Sequence, residues 1–211
     1  MDGRGEQTGP REHAATLRGF TLIELMIVVA IVGILAVLAT FGVRKYVANA
    51  KTAEATSSLG QINFLAIAAY ERENSVAELM TGASVTLMHQ LCLTAPATVP
   101  GAIAGVSNRK YVADTAIAKD YHAGSRTTGW VCLKYEMSQP QYYLYGYSAT
   151  GVAAPCTMPA GAPVVPATGW ASCANGDLNG DGIISQFGTG GNVVNGAPFS
   201  FTQISTQNPE E

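Results

Sequence analysis

Three groups of residues in this 211-residue chain have types and spacings that could do chemistry. The first is a lone carboxylate, Glu24, inside a run that is otherwise apolar from residue 20 to 43 apart from Thr21 and Thr40. An acid at the centre of a membrane helix costs about 2.5–3.5 kcal/mol on insertion scales, so it needs a reason, either a positive partner or a place near the membrane surface where headgroups solvate it. The second is the polar turn Asp177-Leu178-Asn179-Gly180-Asp181-Gly182-Ile183-Ile184-Ser185. Its oxygen side chains alternate and glycine follows the third, as in the first half of an EF-hand-type calcium loop. Asp177, Asn179, Asp181, the carbonyl of Ile183 and Ser185 are the candidate ligands. Position twelve holds Gly188 in place of the bidentate glutamate, so affinity should be weak, about 10⁻⁴–10⁻³ M. A turn rich in Asp, Asn and Gly for conformational reasons alone explains the same residues. The third group is Cys92, Cys132, Cys156 and Cys173, all beyond the apolar run. An even count outside the cytoplasm suggests two disulfides with three possible connectivities, and Cys92–Cys132 with Cys156–Cys173 is the expected one.

No catalytic constellation accompanies them. His13, His89 and His122 are scattered, no serine or cysteine stands in a nucleophile motif, and no phosphate-binding loop or internal repeat occurs. The chain is read as a non-enzyme. A net charge of −3 and a pI near 5.6 argue against an obligatory nucleic-acid partner. Only 13% of residues are charged, as expected where one face is covered by neighbours.

The elements that must position these groups begin with the apolar run. Its 24 residues are long enough for a helix to cross a hydrocarbon layer roughly 30 Å thick. Only a helix crosses alone, because each backbone donor finds its acceptor within the segment. A plain single-pass anchor explains the length but not Glu24. A secretory signal peptide would be cut after small residues, for example after Val37-Leu38-Ala39, but Glu24 interrupts its hydrophobic region.

Gly19-Phe20-Thr21-Leu22-Ile23-Glu24, with Arg18 before it and the apolar run after, resembles the prepilin signature of type IV pilins and type II secretion pseudopilins. The resemblance covers about a fifth of the chain. It implies that residues 1–19 are a cytoplasmic leader removed by a prepilin peptidase. The cut falls between Gly19 and Phe20, and the new amine of Phe20 is methylated. It also implies that Glu24 meets the terminal amine of a neighbouring subunit during assembly. The chain's own amine at Phe20 lies about 6 Å along the helix from Glu24, and a paired charge in lipid costs far less than two lone ones. The implied partners are further copies of the chain in a homopolymeric filament, a pilus assembly ATPase and its inner-membrane platform. The precursor sits in the inner membrane with its head in the periplasm, then joins an extracellular pilus. Many pilins carry a proline about 21 residues past the cut; here Phe41-Gly42 stands there, and Gly42 weakens a helix by about 1 kcal/mol relative to alanine. Gly33 matches a glycine frequent in the family. Some relatives bind calcium in their C-terminal region; otherwise no cofactor is expected.

The fold implied is α+β, a long N-terminal helix packed on a C-terminal antiparallel sheet. The helix should run through residues 20–74, with 20–43 in the membrane, and measure roughly 80 Å. Residues 75–211 form the head. Beyond the membrane, Val47, Leu59, Ile62, Leu65, Ala66, Ala69 and Tyr70 recur mostly at steps of three and four, one stripe suited to lie on a sheet. Residues 75–129 read as a connector with one short helix in 76–93. Strands are expected at 129–137, 141–148, 169–174, 182–187 and 199–205. Tyr143, Tyr145 and Tyr147 share one face of the second strand, read as ordinary packing in preference to a binding platform. Two other functions fit less well: a type II secretion pseudopilin, and a single-pass periplasmic module whose calcium turn is the working part.

Overall fold

The computed structural model describes residues 19–72, 74–75 and 87–209. The leader before Gly19 and most of the short helix expected in 76–93 lie outside the described residues. The chain forms two compact units, residues 1–44 and 45–211, and the division falls inside one helix.

That helix, α1 (Leu22–Glu71), is 50 residues long and runs unbroken through Gly33 and Gly42. No proline interrupts it, and a single glycine is a small cost against so many helical neighbours. Its part in the first unit is apolar on every side. Its part in the second unit is two-faced: Ala55, Ser58, Leu59, Ile62, Asn63, Ala66 and Ala69 are buried, at the three- and four-residue steps of one helix face. Leu65 and Tyr70 pack beside this stripe, whereas Val47 stays exposed.

The head is built on antiparallel strands β3 (Leu144–Ala149), β4 (Gly169–Gly176), β5 (Ser185–Val194) and β6 (Ala197–Ser200) in that order; β7 (Ser205–Gln207) also pairs with β5. A separate ladder joins β1 (Asn74–Ser75) to β2 (Leu87–Met88). Tyr143, Tyr145 and Tyr147 are all fully buried, in line with packing. Their neighbours in the core include Leu59, Ile62, Trp130, Trp170 and Phe187.

The segment expected as a strand at 129–137 is instead a short helix, α2 (Gly129–Leu133). Gly129 enters it at φ 65°, and Lys134 ends it in the left-handed conformation at φ 60°. Trp130, Cys132, Leu133 and Tyr135 still point inward, and Trp130 and Tyr135 each meet Tyr121 edge-on. The partner expected for residues 141–148 is therefore absent. One edge of β3 pairs with β4, and the other is capped by Val99, which exchanges both backbone hydrogen bonds with Tyr145.

Two disulfides staple the periphery. Cys92–Cys132 (Cα–Cα 5.7 Å) ties the segment before the sheet to α2. Cys156–Cys173 (6.1 Å) ties the long loop after β3 onto β4. Each closes a loop whose constraint is worth roughly 3–4 kcal/mol in the chain-entropy account. The loop beside the second disulfide lies on a flat row of the sheet, where Gly146, Cys173 and Gly188 stand in register. A Cβ at Gly146 would meet Pro155 at 2.7 Å and the Cys156 sulfur at 2.8 Å; one at Gly188 would meet Met158 at 2.7 Å. Glycine is needed at both because the loop approaches so closely.

One polar side chain sets the alignment of helix on sheet. Asn63 Oδ1 accepts from Trp170 Nε1–H (3.0 Å) and the Ser172 hydroxyl (3.2 Å), and its Nδ2 donates to Thr189 Oγ1 (3.3 Å). A single asparagine thus reaches both β4 and β5 from inside the apolar stripe. Loss of it leaves buried donors without acceptors, at about 1–3 kcal/mol for each group stranded. Asn63→Ala is expected to lower the head's melting temperature by several degrees, followed by near-ultraviolet circular dichroism of the full chain in micelles; an unchanged melt removes Asn63 from this role.

Candidate functional site

The N-terminal site is assembled from Gly19, Phe20, Thr21 and Glu24. Gly19 and Phe20 lie outside any helix, and Phe20 is 85% exposed. Thr21 then opens α1. Its hydroxyl donates to Glu24 Oε2 (2.7 Å), its backbone N–H donates to the same oxygen (2.8 Å), and Glu24 N–H donates back to Thr21 Oγ1 (3.3 Å). This is a capping box, two helix-end donors satisfied reciprocally by a threonine and the glutamate three residues on. The carboxylate also sits at the positive end of the helix dipole. Its charge is therefore partly met within its own chain. Sequence reading singled out Glu24 and passed over Thr21; the T-x-x-E spacing was the signal for it.

From Leu22 to Val43 the large apolar side chains are 52–76% exposed, on all sides of the helix. Among the described residues α1 is the one helix long and apolar enough to cross a membrane. The motif and this helix suit a membrane-anchored precursor.

The second candidate, the turn after β4, is held by its own donors. Asp177 is buried; its Oδ2 accepts from the Ser107 hydroxyl (2.7 Å) and its Oδ1 from Gly180 N–H (2.8 Å). Asn179 Oδ1 accepts from Asp181 N–H (2.9 Å), and Asp181 Oδ1 accepts from Ile183 N–H (2.7 Å). Gly180 and Gly182 take φ of 80° and 86°, which the tight turn demands. Ser185 turns away, buried, donating to the Gly176 carbonyl (3.1 Å). Gly188 lies within β5. The turn offers four oxygen-bearing groups, two carboxylates, an amide and the Ile183 carbonyl, and both oxygens of Asp177, Asn179 Oδ1 and Asp181 Oδ1 already accept from protein donors, whereas calcium takes six to eight oxygens. Among the described residues no three of His, Cys, Asp and Glu gather as a metal cluster. The turn also docks the loop before it, since Asn108 N–H donates to the Asp177 carbonyl (2.8 Å).

A third polar cluster was not foreseen. Glu54, on the head-facing part of α1, accepts from Tyr142 N–H (2.8 Å) and the Tyr145 hydroxyl (3.2 Å) at Oε1. Lys51 and Lys110 each lie 4.8 Å from the centre of the Tyr142 ring, within cation–π range.

Comparison with known proteins bears on the first site. The prokaryotic N-terminal methylation motif matches residues 17–40. Two type IV major fimbrial proteins FimA of Dichelobacter nodosus are each 51% identical to this chain over 45 residues, 21% of this chain. The chain thus spans 29% of the length of those relatives. No solved structure matches. Over this N-terminal stretch the chain is similar to type IV fimbrial proteins, and the long helix and antiparallel sheet that follow it are consistent with the pilin fold.

Proposed function

We propose that the chain is a structural subunit of a type IV pilus, not an enzyme. A prepilin peptidase cuts between Gly19 and Phe20, and the amine of Phe20 is methylated. The precursor waits in the inner membrane with its head in the periplasm. An assembly ATPase and its inner-membrane platform then move it into a helical filament of identical subunits outside the cell. The observation that carries this reading is the all-round exposure of the apolar part of α1 next to a single capped carboxylate. Such a surface is stable in lipid or among identical helices and nowhere in water. Transfer from lipid to filament exchanges one apolar contact for another. Register is then set by packing and by the Glu24 carboxylate, whose second oxygen is open to the amine of an adjacent copy.

Mass spectrometry of the mature chain tests this. The expected species begins at Phe20 and carries one methyl group on its amine. A chain that retains residues 1–19, or that starts at Thr40, overturns the reading. Imaging of sheared cells then distinguishes surface fibres from the short periplasmic filament of a type II secretion pseudopilin.

No cofactor is required in this mechanism. Calcium at the Asp177–Asn179–Asp181 turn is proposed as an accessory ligand, supported by the hard oxygen donors and weakened by the missing glutamate at Gly188. At about ten times a millimolar dissociation constant the ion would stabilise the head by about 1.4 kcal/mol. The full chain in micelles should melt a few degrees higher with calcium than with chelator, and Asp181→Ala should erase the difference. Identical melts with and without calcium end the proposal.

A further inference from the structure

We propose that Asn195 is a site of self-modification, where the side-chain amide is lost to attack by the backbone nitrogen of Gly196. The chain carries three Asn-Gly pairs, Asn175-Gly176, Asn179-Gly180 and Asn195-Gly196. Each has the composition for this reaction, because glycine sets no side chain beside the attacking nitrogen. The fold leaves one of the three free to react.

Asn195 and Gly196 are the two central residues of the turn that joins β5 to β6, and Val194 and Ala197 pair directly behind them. Both take positive φ, 52° and 80°, as this kind of two-residue hairpin turn demands. Both are exposed. A Cβ built on Gly196 would meet nothing within 4 Å, so solvent reaches the peptide bond from that side. Among the described residues neither the Asn195 side chain nor the Gly196 N–H has a hydrogen-bond partner. Ring closure requires Asn195 to rotate about its Cα–C bond, out of the left-handed turn. The turn sits at the end of a ladder whose outer strand, β6, is 4 residues long, and opening the last pair there is a local event.

The other two pairs are held. Asn175 is buried within β4, opposite Leu144 on one side and Gln186 on the other. Its amide is oriented with Nδ2 donating to the Thr157 carbonyl (2.8 Å) and Oδ1 accepting from Thr157 N–H (3.1 Å). At Asn179 the attacking nitrogen is engaged, since Gly180 N–H donates to Asp177 Oδ1 (2.8 Å). Asp181 holds both ends of the Asn179 amide: its N–H donates to Oδ1 (2.9 Å) and its Oδ2 accepts from Nδ2 (3.0 Å). Reaction at either asparagine must first break these contacts.

The step balances with water as its sole co-reactant. The Gly196 nitrogen gives its proton to solvent base and bonds to Asn195 Cγ. The Cγ–Nδ2 bond breaks, ammonia leaves, and a succinimide ring remains. Water then opens the ring at one or other of its carbonyls, giving aspartate or isoaspartate, and nothing is oxidised or reduced. Either product puts a new negative charge on the hairpin tip, next to exposed Val194. Isoaspartate also adds a carbon to the backbone, so the connection no longer fits the pairing of Val194 with Ala197. This chemistry belongs to the single chain and does not depend on whether it polymerises.

The test is peptide mapping by mass spectrometry of the folded full chain, kept in micelles in mildly alkaline buffer. Asn195 is expected to convert at least about ten times faster than Asn175 or Asn179. Its products should include isoaspartate, read as methyl acceptance from an isoaspartyl methyltransferase. In denaturant with the disulfides reduced, the fold no longer protects any pair, and the three sites should convert at similar rates. Equal rates in the folded chain, or faster conversion at Asn179, overturn the proposal. An Asn195 that stays intact in the folded chain, or that yields aspartate alone, overturns it as well.

Discussion

The side chains of residues 22–43 cannot face water, and the rest of the molecule is arranged around that constraint. In a single chain they are exposed on every side of α1. No head element could cover a helix all round while leaving it long enough to span lipid. Cover must come from outside the chain, from acyl tails or from the same surface on other copies. Against that background one carboxylate is costly, and the chain lowers the cost locally. Thr21 gives Glu24 two short hydrogen bonds, and the helix dipole adds to them. The acid is thereby held at the helix start, beside the bond between Gly19 and Phe20.

The same helix changes character once it enters the head. Small residues, Ala55, Ser58, Ala66 and Ala69, alternate with Leu59 and Ile62 on the buried face. They let the sheet come close, and Asn63 uses that closeness to reach two strands. On the other side of the head, the loop joining β3 to β4 is laid on glycines and bonded by Cys156–Cys173. Long irregular segments are thus fixed to a small sheet by covalent links as well as by burial. The buried tyrosines fill the space between; Tyr147 donates to the Cys92 carbonyl (3.0 Å) and Tyr121 to Gln141 (2.7 Å), whereas the buried hydroxyls of Tyr135 and Tyr143 have no partner among the described residues.

Much of this was legible because it is periodic or covalent. The absence of proline and the three- and four-residue steps gave a helix close to the observed Leu22–Glu71. The Trp170–Ala174 stretch reads as a strand and lies within β4. Other parts were hidden for physical reasons. The apolar run Trp130-Val131-Cys132-Leu133 reads like a strand, yet a tight start at Gly129 and a left-handed Lys134 close the chain into one helical turn. β5 runs to Val194 through Thr189, Gly190 and Gly191, a stretch whose glycines argue for a loop. Gly191 is required because the Trp170 ring lies against it, and Gly190 because the Trp170 backbone carbonyl does, tertiary contacts that no local pattern announces. In the turn after β4, alternating oxygens suggested ligands, and the structure gives those of Asp177, Asn179 and Asp181 donors from the protein itself. Glu54 was missed for the opposite reason: a glutamate on a solvated helix looks the same in sequence as one facing a wall of tyrosines.

The central claim is that the acid at the start of α1 directs how copies come together. It is tested most directly with Glu24→Ala in cells, scoring processing by mass and assembly by the amount of sheared surface fibre. The account predicts a chain that is cut after Gly19, remains in the membrane and yields almost no fibre. Normal quantities of fibre from the processed variant would contradict it.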